Sequence, residues 1–484
     1  MRIEDTVDAD YPALKLFIAG RFVEDKPAET TAVLNPATGE TLAFMPHATP
    51  AQMDEAIAAA GRAFPLWRRM SAQERAVILT RAAALIRERR ESLARIVTAE
   101  LGKPLAEARA EVDTAAAIFQ WDAEEGRRAY GRIIPSRQPG TRLMAVREPL
   151  GPIAAFAPWN APINTPARKI SGALAAGCTV VLKPAEDTPG AALALAGILA
   201  EAGLPKGALS VVCGDPVRIS ERLLDSPIIR GVTFTGSTAI GKMLAARAAA
   251  TIKVMLAELG GHSPVLVFED ADIEAVATAA VRAKYRNSGQ VCISPTRFYI
   301  HESVHDRFVN CFTEAAARLR LGDGRDPATT MGPVINARRI AALDRFVLDA
   351  RNRGIEIRQS GVLPEKRGFF FRPTILVNGR EDCLAANEEP FGPLALTRSF
   401  GSLEEAVALA NRLPFGLAAY AFTHDSRRII QLGEEIESGN VIFNHWQASL
   451  PETPFGGVKD SGIGREGGIE GLVAFQTVKY ISEA

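Results

Sequence analysis

The hydrophobic positions of the chain follow two different periods, and the change of period divides the chain into regions. Between residues 51 and 126, apolar side chains recur every three or four positions between charged ones, which is the spacing of amphipathic helices. This pattern predicts three helices, over residues 51–64, 71–101 and 105–126. Pro65 and the stretch 102–104 are expected to separate them.

Beyond about residue 150, short apolar runs rich in β-branched residues alternate with helical segments. The first series of predicted strands covers residues 152–157, 179–183, 209–213, 231–235 and 252–256. The second series begins near Gly261 and covers residues 264–268, 297–300, 374–377, 395–400, 418–422 and 439–443. Strands that alternate with helices of roughly 10–15 residues indicate βαβ units and parallel sheets.

The sequence therefore predicts an α/β fold with two doubly wound domains that meet near residues 259–263. Residues 127–148 and 476–481 fit neither series. We expect them to be extended segments that pair elsewhere in the fold.

Composition and charge narrow the range of functions. The 484 residues include 56 Lys and Arg and 56 Asp and Glu, so the net charge is zero. This balance argues against a nucleic-acid-binding or polybasic membrane-binding protein. Five cysteines in 484 residues, an odd number, disfavour a disulfide framework and favour a cytoplasmic protein. No two of them stand at C-x-x-C spacing, which disfavours a zinc site. Residues 1–10 contain no apolar run, so no signal peptide is expected, and no stretch is long enough to span a membrane.

Three positions could form a site for covalent catalysis. Cys292 lies among small and polar residues between a predicted helix and a strand, where it is either a nucleophile or an ordinary loop thiol. Glu258 precedes two glycines at the end of a predicted strand, where it is either a desolvated base or an ion-paired side chain. Asn160 follows the first predicted strand of the sheet and could donate to an oxyanion or simply form a turn.

Two further segments suggest a nucleotide site. Gly236 and Ser237 lie between a strand and a helix, where backbone N–H groups can bind a pyrophosphate. With Lys242 the segment nearly matches a nucleoside-triphosphate loop, but Met243 replaces the magnesium-binding hydroxyl residue of that motif. Lys183 and Glu186 end another strand and could bind a ribose diol.

The segment from His301 to His305 matches H-E-x-x-H. This motif binds zinc only when both histidines share one face of a helix. Here the first histidine is predicted to end a strand, so we expect surface histidines and no metal site.

The order of the motifs is more specific than any one of them. Along the chain stand Pro158-Trp159-Asn160, Lys183-Pro184-Ala185-Glu186, Phe234-Thr235-Gly236-Ser237-Thr238, Glu258-Leu259-Gly260-Gly261, Gly289-Gln290-Val291-Cys292, Glu389-Pro390-Phe391-Gly392-Pro393 and Pro454-Phe455-Gly456-Gly457-Val458-Lys459-Asp460-Ser461-Gly462. Over nearly its whole length the chain resembles the NAD(P)-dependent aldehyde dehydrogenase superfamily.

The resemblance implies a role for each motif. Cys292 corresponds to the catalytic thiol, Glu258 to the general base and Asn160 to the oxyanion-binding amide. Contacts to the cofactor are implied for Trp159, Lys183, Glu186, Gly236, Ser237, Glu389 and Phe391. Glu186 favours NAD over NADP because its charge repels a 2′-phosphate.

Within the superfamily the chain is most similar to the succinate-semialdehyde dehydrogenases. Arg168 and Arg286 correspond to the two arginines that bind the substrate carboxylate there, and Ser449 to the third ligand. Ser294 stands where many of these enzymes carry a second cysteine, and His262 and Pro390 also depart from the common pattern. Glutarate or α-ketoglutarate semialdehyde and an uncharged aldehyde therefore remain open as substrates.

The resemblance also implies an organisation. Residues 1–126 and 149–258 are expected to form an NAD-binding domain and residues 259–465 a catalytic domain. Residues 127–148 and 466–484 are expected to form the arm of a homodimer or homotetramer. The competing hypotheses are a coenzyme A-acylating enzyme, a nucleoside-triphosphate-binding protein and a catalytically silent relative.

Overall fold

A computed structural model describes residues 11–24, 27, 29–365 and 368–484. The predicted absence of a signal peptide concerns residues 1–10, which lie outside the described residues. The strands are β1 (Phe17–Ile18), β2 (Arg21–Phe22), β3 (Thr30–Leu34), β4 (Thr41–Pro46), β5 (Arg132–Ile134), β6 (Arg142–Pro149), β7 (Ile153–Phe156), β8 (Val180–Lys183), β9 (Leu209–Val211), β10 (Gly231–Thr235), β11 (Val254–Glu258), β12 (Ser263–Val267), β13 (Pro295–His301), β14 (Glu356–Gln359), β15 (Thr374–Val377), β16 (Leu394–Phe400), β17 (Phe415–Gly416), β18 (Ala418–Phe422), β19 (Asn440–Phe443), β20 (Val458–Lys459), β21 (Gly462–Ile463) and β22 (Gln476–Glu483).

Helices connect most of the longer strands. They are α1 (Pro50–Trp67), α2 (Ala72–Glu88), α3 (Arg90–Leu101), α4 (Leu105–Glu125), α5 (Asn164–Ala176), α6 (Gly190–Ala202), α7 (Pro216–Asp225), α8 (Thr238–Ala249), α9 (Ile273–Tyr285), α10 (His305–Ala316), α11 (Ala337–Asn352), α12 (Leu384–Asn387), α13 (Leu403–Asn411), α14 (Ser426–Glu435) and α15 (Gly468–Val473). In the part of the chain that is described, no helix is long and apolar enough to cross a membrane.

The first sheet has the order β2-β1-β9-β8-β7-β10-β11-β21, and its five central strands, β7 to β11, are parallel. Successive side chains of a strand point to opposite faces, so β7 contributes to two hydrophobic clusters. Ile153 and Ala155 pack in the cluster that contains α2, α4, α5 and α6. Ala154 and Phe156 pack in the cluster that contains α1 and α7. The sheet is thus covered on both faces, as predicted.

The second sheet has the order β14-β15-β16-β13-β12-β18-β19. Six of its strands are parallel and β14 is an antiparallel edge strand. Its β13 residues also alternate between clusters: Phe298 packs with α9 and α10, whereas Tyr299 packs with α13 and α14. The predicted fold class, with two doubly wound α/β domains, is confirmed by this arrangement.

The two unassigned segments pair with each other. The strands β22, β6 and β5 form a three-stranded antiparallel sheet in which β22 pairs with β6 along eight residues. Large apolar side chains remain exposed on or beside this arm sheet, namely Tyr130, Ile133, Val478 and Tyr480.

Three predicted boundaries were wrong. The helix predicted over residues 71–101 is two helices, because Arg89, with ψ of 19°, leaves the helical conformation between α2 and α3. Helix α1 continues past Pro65, because a proline in the last turn costs only one backbone hydrogen bond there. The strand predicted over residues 252–256 lies two residues later as β11, because Ile252 adopts a left-handed turn conformation with φ of 52°.

Candidate active site

A cavity of about 1060 Å³ lies at the carboxyl ends of β7 and β10. The chain passes from β7 to β8 on one side and later crosses to β10 on the other side of β7. Ligands of open α/β sheets bind at such a reversal of strand order. Eleven of the thirteen predicted site residues line this cavity: Trp159, Asn160, Arg168, Gly236, Ser237, Glu258, Arg286, Cys292, Glu389, Phe391 and Ser449.

Cys292 follows a tight left-handed turn. Asn287, Ser288 and Gly289 have φ values of 48°, 54° and 72°, which place three successive residues in a conformation that favours glycine. A Cβ atom on Gly289 would lie 2.2 Å from the carbonyl oxygen of Gly392. The turn is therefore pressed against the loop that carries Glu389, and it leaves the half-buried Cys292 on the cavity wall.

The Cys292 thiol is held in its neutral form by this environment. Burial raises its pKa to about 12, and the neighbouring carboxyl groups of Glu389 and Glu258 act in the same direction. The guanidinium of Arg286 opposes them. Because the thiolate is the reactive form, this thiol needs a base or an added positive charge before it can attack a carbonyl.

The side chain of Asn160 is fixed on the loop before Cys292. Its Nδ2 donates to the carbonyl oxygen of Gln290 at 3.1 Å. Asn287 Nδ2 donates to the same oxygen at 3.1 Å and to the carbonyl oxygen of Asn160 at 2.9 Å. An amide nitrogen carries two hydrogens, so Asn160 can still donate one to a ligand in the cavity.

Glu258 is the last residue of β11 and is 2% exposed. Neither of its carboxyl oxygens has a hydrogen-bond partner among the described residues. Burial raises its pKa well above the ordinary value, and the carboxylate of Glu466 adds to this effect against Lys169, Arg465 and Arg168. A carboxyl group that is buried and unpaired in a cavity has the properties of an acid or base poised for proton transfer.

Sequence reasoning missed the ion pair behind Glu258. Lys169 Nζ donates to Glu466 Oε1 at 2.8 Å and to Thr233 Oγ1 at 3.0 Å, and the lysine side chain is fully buried. The sequence signal was Lys169 itself, a charged residue among the buried apolar positions of α5.

Groups suited to a dinucleotide occupy the side of the cavity nearer the first sheet. Ser237 precedes α8, where free backbone N–H groups favour an anion. The rings of Trp159 and Phe391 meet edge to face with centroids 5.4 Å apart.

Glu389 Oε1 accepts from the Gly261 N–H at 3.4 Å, and burial raises the pKa of this carboxyl to about 8. Thr235 Oγ1 is buried and has no hydrogen-bond partner among the residues that the structure describes, so this wall can take an added polar ligand.

The remaining two predicted residues lie outside the cavity wall. Lys183 ends β8, next to Phe156 of β7, and pairs with Glu186. Lys183 is thus the last residue of the strand that neighbours β7, and Glu186 follows it by three residues.

Positively charged groups line another part of the cavity. Arg168 Nη2 donates to Ser449 Oγ at 2.9 Å and to the Leu450 carbonyl oxygen at 3.4 Å. Its Nη1 is buried without a partner in the described structure, and its guanidinium lies 5.7 Å from the ring centre of Phe455. Arg286 is exposed to the cavity and directly precedes the turn that leads to Cys292. The two arginines can thus bind an anion in the same cavity as the thiol.

The zinc-type motif at residues 301–305 and the nucleoside-triphosphate-type loop that ends at Lys242 were the two alternative motifs of the sequence. His301 ends β13 and His305 begins α10, so the histidines do not share one helix face. No group of three or more His, Cys, Asp or Glu side chains that could hold a metal ion was found in the described ranges. Lys242 makes an ion pair with Asp460 at 2.6 Å.

Comparisons with known proteins agree with this geometry. The model of the aldehyde dehydrogenase family matches residues 22–481. The glutarate-semialdehyde dehydrogenase of Pseudomonas aeruginosa is 42% identical over 474 residues, which are 98% of this chain and 98% of that protein. The NADP⁺ succinate-semialdehyde dehydrogenase of Escherichia coli is 41% identical over 464 residues, which are 96% of each protein.

Solved structures show the same fold. The crystal structure of succinate-semialdehyde dehydrogenase from Burkholderia pseudomallei has a TM-score of 0.95 and 42% identity, and the match covers 99% of this chain and 100% of that one. With a family model that spans nearly the whole chain and full-length relatives above 40% identity, this protein belongs to the aldehyde dehydrogenase family and is an NAD(P)-dependent aldehyde dehydrogenase.

Proposed function

We propose that the protein oxidises an aldehyde that carries a carboxylate, such as succinate or glutarate semialdehyde, to the dicarboxylic acid with NAD. The observation that carries this proposal is that Arg168, Ser449 and Arg286 line the same cavity as Cys292. A guanidinium with a free Nη1 in a buried position suits a carboxylate better than an apolar group. The names of the relatives support the same substrate class.

In the first half of the reaction the Cys292 sulfur attacks the aldehyde carbon and forms a thiohemiacetal. The thiol proton is released to solvent as the reactive thiolate forms. Asn160 Nδ2 and the Cys292 N–H donate to the oxygen that becomes negative, and loss of one such donor typically costs about 100- to 1000-fold in rate. Bound in the cavity, the nicotinamide supplies the hydride acceptor for this oxidation.

In the second half the acyl group, held as a thioester on Cys292, is hydrolysed. Glu258 takes a proton from water, the resulting hydroxide adds to the thioester carbon, and the sulfur leaves as the thiolate. Asn160 donates to the oxyanion again. The free carboxyl group of Glu258 therefore favours hydrolysis over transfer to coenzyme A.

The residues present fit a dinucleotide. The N-terminus of α8 with Gly236 and Ser237 suits the pyrophosphate, and Trp159, Phe391 and Glu389 suit the nicotinamide ribose side. Lys183 and Glu186 suit the adenosine ribose. The negative charge of Glu186 would repel a 2′-phosphate, so we propose NAD as the preferred cofactor.

We also propose a domain organisation for the chain. Residues 1–126 and 149–258 form the NAD-binding domain, and residues 259–465 form the catalytic domain. Residues 127–148 and 466–484 form an arm that joins subunits of a homodimer or homotetramer in the cytoplasm.

The test compares substrates in arginine variants. NADH formation is followed with succinate semialdehyde, glutarate semialdehyde and hexanal in the wild type, Arg168→Ala and Arg286→Ala. Loss of a hydrogen bond to a charged group should lower kcat/KM for the acidic aldehydes about 10- to 100-fold and spare hexanal. Equal effects on all three aldehydes would contradict carboxylate recognition and favour an uncharged substrate.

A further inference from the structure

Two buried polar groups of the cavity have no role in the reaction described above. The side-chain oxygen of Asn164 and the hydroxyl of Tyr285 have no hydrogen-bond partner among the described residues, yet both residues line the cavity. Tyr285 is 1% exposed and its ring stacks on Phe312 with centroids 6.0 Å apart, so the hydroxyl cannot turn out to bulk solvent. A buried polar group left unpaired destabilises the site, and a ligand that pairs with it recovers this loss.

Asn164 lies between Asn160 and Arg168 along the chain, and these two residues bind the two ends of the proposed substrate. Asn164 begins α5 and Arg168 lies one turn later on the same face of that helix. Asn160 precedes Asn164 by the same interval. Four residues of helix span about 6 Å, which is close to the length of a short aliphatic chain. A semialdehyde whose carboxylate is bound at Arg168 would therefore reach Asn164 with its carbon chain, since both residues line the cavity.

Hydrogen bonds fix the backbone around Asn164 and thereby hold its side chain at the cavity wall. Glu111 Oε1 accepts from the backbone N–H groups of Ile163 and Asn164 at 3.1 and 3.2 Å. Glu111 itself pairs with Lys103 at 2.5 Å. Tyr285 is fixed from the other side, since it ends α9 directly before Arg286.

We propose that Asn164 and Tyr285 recognise a hydroxyl group on the carbon chain of the anionic aldehyde, between its carbonyl and its carboxylate. This inference rests on the proposed function and narrows its substrate class to hydroxylated semialdehydes. The Asn164 oxygen can only accept, so it needs a donor on the ligand, and the Tyr285 hydroxyl can donate to the same ligand oxygen. An ammonium group also donates, but Arg168 and Arg286 would repel it.

The experiment measures kcat/KM with NAD for succinate semialdehyde and for its 2-hydroxy and 3-hydroxy derivatives. In the wild type we expect at least one hydroxylated derivative to exceed succinate semialdehyde about tenfold. Asn164→Leu keeps the branched shape and removes the acceptor, and Tyr285→Phe keeps the ring and removes the hydroxyl. Each variant should bring that ratio down several-fold, whereas Asn352→Leu, an exposed site at the end of α11, should leave it unchanged.

A wild-type ratio at or below one, or ratios that both variants leave at the wild-type value, would overturn the inference. Failure of the proposed function gives a different result. In that case Arg286→Ala would leave the preference for succinate semialdehyde over hexanal unaltered. An Arg286→Ala variant that loses this preference, together with unaltered hydroxyl ratios, contradicts the hydroxyl inference alone.

Discussion

At the residue scale, the contrast between Glu258 and Glu466 shows how surroundings decide what a buried carboxyl group can do. Glu466 accepts a hydrogen bond from Lys169 at 2.8 Å, so its charge is compensated. Glu258 lies close enough for Glu466 to raise its pKa and has no partner of its own in the described structure. Of these two carboxyl groups, only Glu258 therefore has oxygens free to exchange a proton with water.

Glu258→Gln should separate the two halves of the reaction. We expect the thioester to accumulate, with steady-state turnover reduced about 100-fold or more while a first burst of NADH persists. Rapid-mixing absorbance of NADH measures both phases. Glu314→Gln, an exposed site on α10, serves as the control with wild-type turnover. A variant whose burst and steady-state rates fall by the same factor would contradict this separation.

The pH dependence of turnover follows from the raised pKa of Glu258. A raised pKa means that the carboxylate, which is the form that acts as a base, appears only at higher pH than for an ordinary glutamate. In the wild type, kcat should therefore rise with pH over a range that lies above the ordinary titration range of a glutamate. The pH profile of kcat for Glu258→Gln should lack this rise, and a wild-type kcat that is flat from pH 5 to pH 9 would exclude Glu258 as the base.

Part of the site could be predicted from single residues and part could not. Cys292, Glu258 and Asn160 were recognised because the motifs that contain them follow one another in a distinctive order, and the structure places all three on one cavity. Asn164 and Tyr285 gave no such signal. Their distinguishing property is the lack of a hydrogen-bond partner, which depends on residues distant in the chain.

At the scale of elements, the turn at residues 287–289 positions the thiol. Its left-handed conformation costs energy at Asn287 and Ser288, and hydrogen bonds offset this cost. Glu107 Oε2 accepts from the Asn287 N–H at 2.8 Å, and Ser288 Oγ donates to the Gly332 carbonyl oxygen at 2.7 Å. Helix α4 and the second domain thus hold the loop from two sides.

Two glycines with nearly the same backbone conformation test this turn. Gly289 and Gly354 have φ of 72° and 67°, but only Gly289 meets a neighbour, whereas a Cβ on Gly354 meets nothing within 4 Å. Gly354→Ala should cost about 1–2 kcal/mol of unfolding free energy and retain activity. Gly289→Ala should cost about 3 kcal/mol or more and abolish NADH formation, because the chain must move at Cys292. If the close contact at Gly289 had no consequence, chemical denaturation and activity assays would show the same stability and activity for the two variants.

Periodicity predicted the helices and strands better than their ends. The alternating series around both sheets was recognised because each strand is a short apolar run between helices. The break at Arg89 and the turn at Ile252 were missed because backbone conformation decides them, and neither position carries a glycine or proline signal. The pairing of β22 with β6 could not be assigned because more than 300 residues separate the strands.

At the scale of the whole molecule, the arm sheet leaves apolar side chains without cover. Val478 and Tyr480 are 57% and 62% exposed and alternate along β22, so they share one face. If this face joins subunits, Val478→Glu with Tyr480→Glu should reduce the molecular mass measured by light scattering after size exclusion. Val362→Glu, which alters an apolar residue that is 83% exposed elsewhere, is the control. An unchanged mass in the double variant would exclude the arm as the interface.

The central claim is that the substrate becomes attached to Cys292 at the meeting point of the two sheets. Intact-mass and peptide mass spectrometry of Glu258→Gln after reaction with NAD and succinate semialdehyde tests it most directly. The account predicts one succinyl group per chain, on the peptide that contains Cys292, and none in Cys292→Ser. A succinyl group on Cys311 or another cysteine, or no adduct despite NADH formation, would contradict it.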